Sequence, residues 1–177
     1  SAPAVVLLDE RMVTVALDGS MTIRQIYAAK VHSREGRRAG SLGEVYLTDT
    51  GRVVSAKGWI IRASGAVQEL DKRSVVDLAL AGNDVYNEAR LRLVDAGDPE
   101  PGMIFGAEIV SEERSVFTQI EWRLQDRWPV KVVRRGLTIT SDWRVASTTF
   151  NHAPIEPTLT GITHTWQLND LPEPDDE

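Results

Sequence analysis

The chain has no cysteine, and this one absence removes thiol catalysis, disulfide stapling and thiolate metal centres together. It leaves the compartment open, because a domain of this size can rest on its core without disulfides in the cytoplasm or in the periplasm. Long apolar runs are also missing. The longest, 5–8, stops at Asp9 and Glu10, far short of the roughly 20 residues needed to span a bilayer, so the chain is not expected to be membrane-embedded. No basic stripe exists either: the net charge is −6 with both signs interspersed, which excludes nucleic acid as an expected partner. The three histidines, His32, His152 and His164, form no His-x-His or His-x-x-x-His pair, so no metal is expected. The nearest approach to a nucleophile elbow, Gly40-Ser41-Leu42-Gly43, lacks the Gly-x-Ser-x-Gly spacing. No cofactor and no catalytic constellation are expected, and the segment is not read as an enzyme. Ser1-Ala2-Pro3-Ala4 has neither a basic nor an apolar leader character, as when a targeting peptide has been removed or was never present.

What is present is period-two alternation. With 177 residues, 42% of them hydrophobic, the chain can build one sizeable core. Across 21–31, Met21, Ile23, Gln25, Tyr27, Ala29 and Val31 share one side while Thr22, Arg24 and Lys30 share the other. Val85, Ala89, Leu91 and Leu93 oppose Glu88, Arg90 and Arg92. Val116, Ile120, Trp122 and Leu124 oppose Gln119, Glu121, Arg123 and Gln125, and Ile162, Trp166 and Leu168 oppose Thr163, Thr165, Gln167 and Asn169. Asp18-Gly19 and Ser64-Gly65 fall between such runs and predict hairpin turns, the first as a type I′ turn. The one helix candidate, 74–80, is short enough to be a strand instead. The pattern predicts an all-β, two-sheet antiparallel β-sandwich with little helix and about ten or twelve strands of ordinary length over 1–170. The acidic, proline-containing 171–177 reads as a linker toward a further C-terminal domain.

Candidate chemistry is sparse. Asp84 with Glu88, and Glu108 with Glu112 and Glu113, are the carboxylate clusters a hydrolase would need, but charge ladders on strands account for them. Asp95, Asp98 and Glu100 read as an acidic turn rather than a calcium loop. Five tryptophans raise carbohydrate recognition. Trp122 and Trp166 lie on apolar sides and belong to the core, and Trp59 is undetermined. Trp128 and Trp143 flank 129–140 and would emerge together at one end of the sandwich. A second candidate surface lies in 83–106, where Asp84, Tyr86, Glu88, Arg90 and Arg92 are expected to alternate outward from an apolar strand. The binding candidates are therefore Tyr86, Arg90, Arg92, Trp128 and Trp143.

The order of motifs carries a resemblance over nearly the whole chain. Gly51-Arg52-Val53-Val54-Ser55-Ala56-Lys57-Gly58-Trp59-Ile60-Ile61-Arg62 is followed by Val67-Gln68-Glu69-Leu70. Then come Asn83-Asp84-Val85-Tyr86-Asn87-Glu88-Ala89-Arg90, Glu100-Pro101-Gly102-Met103-Ile104-Phe105-Gly106, and Val116-Phe117-Thr118-Gln119 through Trp122 to Pro129-Val130. This resembles the domain of unknown function 3857 family, found N-terminal to transglutaminase-like domains in exported bacterial proteins. The resemblance implies an N-terminal β-sandwich module, a periplasmic or cell-surface setting, and a downstream transglutaminase-like domain as partner. It transfers no catalytic residue, since this chain has no cysteine, and no binding residue. The leading expectation is a non-catalytic accessory or interaction module. The alternative is a carbohydrate- or cell-wall-binding sandwich whose partner would be a cell-wall glycan or peptide.

Overall fold

In the computed structural model, residues 2–80, 88–114, 119–140 and 142–174 are described. Eleven strands appear among them: β1 (Ala4–Val15), β2 (Ser20–Val31), β3 (Ser41–Leu47), β4 (Gly51–Ile61), β5 (Val67–Glu69), β6 (Val75–Ala79), β7 (Ala89–Asp95), β8 (Ile104–Arg114), β9 (Val130–Ile139), β10 (Thr158–Thr160) and β11 (Thr163–Leu171). Eight form a sheet in the order β10-β11-β9-β1-β2-β8-β4-β5, and three form a second, β3-β7-β6. The fold is an all-β sandwich. Its only helical pieces among the described residues are two 3-10 turns, Arg34–Ala39 and Lys72–Ser74. The helix candidate at 74–80 is therefore mostly strand β6. Pairing is antiparallel except at β1 and β9, which run parallel from Val6↔Val130 to Val15↔Ile139.

Both expected hairpin turns form, with a different geometry from type I′. Gly19 N–H donates to Ala16 C=O at 3.0 Å and Ala16 N–H to Ser20 C=O at 2.9 Å, so Leu17 and Asp18 are the central residues. Only Gly19 has positive φ, at 81°. This is a turn followed by a left-handed glycine, and Arg62 to Gly65 repeat it, with Gly65 at φ 85°. Asp18 closes its loop by accepting from Ser20 N–H at 3.0 Å and Ser20 O–H at 2.5 Å.

A register shift between Val6 and Leu8 sets the inward face of β1. Ala4 and Val6 point in before it, and Asp9, Arg11, Val13 and Val15 after it. In β2 the odd positions point in, as the alternation requires: Ile23, Gln25, Ala29 and Val31 are buried and Arg24 and Lys30 exposed. Ile60, Val94, Met103, Phe105, Ala107 and Ile109 form the largest core cluster, with Leu42 and Val75 against it, where the small sheet lies on β4 and β8.

Three strands cannot cover eight. Much of the remaining second layer is an extended crossing, 119–129, that belongs to neither sheet, and Ala39 of the first 3-10 turn lies over Ala4 and Ala29. Trp122 packs on Val13, Val15 and Ile23, while Leu124 and Trp128 pack on Val6, Val130 and Val133. The buried Arg135 guanidinium ties the crossing down by donating to Arg123 C=O at 2.7 Å. Trp122 and Leu124 are half-buried and Glu121 and Arg123 exposed, as expected, but Ile120 is 36% exposed. Among the described residues no strand lies above Ile120 to bury it, and the buried part of the apolar stripe begins at Trp122.

Candidate interaction surfaces

The small sheet is turned opposite to the sequence expectation. Arg90, Arg92 and Val94 lie on one side of β7, and Val94 is fully buried in the core, so the two arginines face the large sheet. Their register partners share that side: Glu44 opposite Arg92, Tyr46 opposite Arg90, and Asp77 opposite Arg92 from β6. The outward Arg90–Arg92 ladder is thus corrected to an inward one. It is tolerable there because both guanidiniums pair with Asp77 and keep about a third of their side-chain surface exposed. Asp77 accepts from Arg90 Nε at 2.5 Å, lies 2.8 Å from an Arg92 terminal nitrogen, and accepts from the Tyr46 hydroxyl at 2.7 Å. Desolvation raises the Asp77 carboxyl, but the Tyr46 hydrogen bond and then the two guanidiniums outweigh it and hold it below the ordinary aspartate value.

A second inward charge, Glu44, joins the two layers. Its carboxylate accepts both terminal nitrogens of Arg11 at 3.0 Å, Gln25 Nε2 at 2.5 Å and the Ser111 hydroxyl at 3.3 Å. Three strands of the large sheet therefore grip one strand of the small one. Sequence reasoning missed Glu44, Tyr46 and Asp77, since isolated charges in alternating strands look solvent-facing.

The consequence lies on the other side. Gly43, Val45 and Leu47 of β3, Val76 and Leu78 of β6, and Leu91 and Leu93 of β7 form the outer face. A Cβ on Gly43 would touch the Leu91 and Leu93 side chains, which lie across it. Val45, Leu47 and Leu78 are 57%, 49% and 47% exposed. Among the described strand residues on this side the one charge is Asp95, at the far end of β7, where its carboxylate accepts from Gly97 N–H at 2.8 Å.

The remaining candidates do not converge. Tyr86 and Asp84 lie outside the described residues. Trp128 is half-buried, packed on Ala4, Ala29 and Ala39 as well as Val6, with Arg127 over its ring at 5.8 Å. Trp143 is 54% exposed and follows the opposite end of β9. They leave opposite ends of β9, a ten-residue strand about 30 Å long, so the expectation of one shared end is corrected. Glu108 and Glu112 pair with Arg24 at 2.5 Å and Arg52 at 2.7 Å on the outer side of the large sheet. Glu113 alternates to the inner side. Among the described residues no group of three or more acidic or histidine side chains is placed to hold a metal, and no helix is long and apolar enough to cross a membrane.

A two-layer sandwich with an inverted, aliphatic-faced second sheet defines a β-rich module with an exposed aliphatic face. Residues 17–175 match the model of a domain of unknown function with solved structure, DUF3857, and the chain belongs to that family. No curated protein matches it. Among solved structures it is similar to one from Parabacteroides distasonis ATCC 8503, described as a "putative protease", with a TM-score of 0.83 at 16% identity over 99% of this chain and 37% of that one. The chain thus spans little more than a third of that protein. Yeast leukotriene A4 hydrolase, native, gives 0.49 at 9% identity over 96% of this chain and 28% of that one, a level that bears no argument.

Proposed function

We propose that this chain is a non-catalytic accessory module of a larger exported, transglutaminase-like protein, working at the periplasm or cell surface. It docks the outer face of β3-β7-β6 against another domain of the same polypeptide. The observation that carries this reading is that face, aliphatic across three strands with Val45, Leu47 and Leu78 about half exposed. A contiguous apolar face of this kind is rare on a free-standing surface and common where domains of one chain meet. Two findings support an intrachain occupant: the family membership over 17–175, and a solved relative of the same fold in which the matched part is 37% of the chain. Away from Asp95 at its far end, the face offers no charge among the described residues to orient a polar ligand, so its complement is another aliphatic surface.

The test compares hydrogen exchange of β3, β6 and β7 in this chain and in the full polypeptide. Protection confined to these strands in the full polypeptide, and lost in a Val45→Asp, Leu47→Asp, Leu78→Asp variant, is the expected result. Equal exchange in both would remove the docking face. A reading frame encoding no Cys-His-Asp domain would remove the transglutaminase-like partner. Trp128 and Trp143, at opposite ends of β9, supply no common platform for a sugar ring, and the glycan-binding alternative has no geometric support.

A further inference from the structure

The inner face of the large sheet is covered in separate pieces, the small sheet and the 119–129 crossing among them. The seam between the start of this crossing and strands β1, β2 and β8 holds a cleft of about 300 Å3 lined by Arg11, Val13, Met21, Ile23, Glu113, Gln119, Ile120 and Glu121. Its size lies at the lower end of small-ligand sites, suiting one side chain or a small molecule of that length. Val13, Met21, Ile23 and Ile120 make its walls aliphatic.

Charge decides what such a cleft would hold. Arg11 contributes little net field, because both its terminal nitrogens are engaged by the Glu44 carboxylate at 3.0 Å. Glu113 is half-buried, also borders the smaller cleft beside Tyr46, and makes no side-chain hydrogen bond or ion pair to a described residue. Its neighbours along β8 are spoken for: Glu112 by Arg52 at 2.7 Å, and Ser111 by Glu44 at 3.3 Å. Glu121 adds a second carboxylate at the exposed mouth. A half-buried carboxylate without a partner is a cost that a cation entering the cleft would relieve.

We propose that this seam binds an alkylammonium group, a primary amine on an unbranched aliphatic stem such as a lysine side chain. The ammonium meets Glu113, with Glu121 at the entrance, and the stem lies on Met21, Ile23 and Ile120. The site stands apart from the docking face and does not depend on it.

The test is a titration of Nα-acetyl-lysine amide into the chain, followed by the methyl resonances of Met21 and Ile120. A saturable shift is expected in the millimolar range, as suits a single charge-assisted contact on a small ligand. Glu113→Gln should weaken it roughly tenfold or more and Glu121→Gln by less, both keeping the parent melting temperature. Nα-acetyl-norleucine amide, which has the stem without the charge, should not compete. Should Glu113→Gln unfold, salt replaces it: added salt must weaken the lysine analogue and leave the parent spectrum unchanged. Equal binding of the norleucine analogue, unaltered affinity in Glu113→Gln, salt-independent affinity, or no saturable shift up to about 10 mM each overturns the proposal.

Discussion

Glu44 is 6% exposed and reaches across the sandwich to Arg11, Gln25 and Ser111. A buried carboxylate with every acceptor position used costs little relative to its alternatives, whereas losing it strands Arg11. Glu44→Ala should lower stability by about 3–5 kcal/mol in urea unfolding, and Arg11→Ala and the double variant should show strong non-additivity. Tyr27 gives a second prediction. Burial, then the carboxylates of Asp9 and Asp126, push its hydroxyl well above the ordinary tyrosine value. The unfolded chain therefore releases that proton first. The stability is full below about pH 10 and declines as pH rises beyond it toward the folded value. Alkaline unfolding should begin above about pH 10, and Tyr27→Phe should flatten that limb. An unchanged limb would assign it to other groups.

At the scale of elements, alternation told which residues share a side but not which side is inside. In β2 the two questions have one answer, since Ile23, Ala29 and Val31 are apolar and buried. In β7 they part. Leu91 and Leu93 do share the side opposite Arg90 and Arg92, yet the charged side faces the large sheet. Hydrophobicity orients a strand only when one layer lies beside it and water lies on the other side; in β7 the part-buried pairing at Asp77 holds the charged side inward and leaves the aliphatic side exposed. The 119–124 stretch failed differently. Its alternation is real, but Trp122 and Leu124 close the core as an unpaired crossing, which no local pattern distinguishes from a strand.

Two glycines test how tightly elements meet. A Cβ at Gly36 would stand 2.0 Å from the Pro3 carbonyl oxygen, while one at Gly136 would meet the tip of Met12, its Cε at 2.2 Å and Sδ at 2.3 Å. Pro3 is held by the N–H groups of His32 at 2.8 Å and Ser33 at 3.1 Å and cannot yield, whereas a methionine tip can swing away. Gly36→Ala should therefore cost about 1–3 kcal/mol or more, and Gly136→Ala less than about 1.5. Comparable midpoints in denaturant for the two variants would contradict this.

Over the whole molecule, an eight-stranded sheet under a three-stranded one leaves a layer whose own outer face is still unburied. If that face is bare in the isolated chain, charge placed there should cost almost nothing in folding. If it is packed against other parts of the chain, the same charge would be buried without a partner and cost several kcal/mol. Leu47 and Leu78 sit on the two edge strands, 49% and 47% exposed, on either side of Leu91. Leu47→Lys with Leu78→Lys should thus change the unfolding free energy by no more than about 1 kcal/mol, being two exposed substitutions. The same pair should reduce self-association at high concentration, because lysines at edges break both the apolar surface and the open strand borders. Sedimentation and urea unfolding on the same two proteins give both readings. A double variant destabilised by more than about 3 kcal/mol would mean the face is already covered, and a parent that stays monomeric at high concentration would mean the face does not pair with itself.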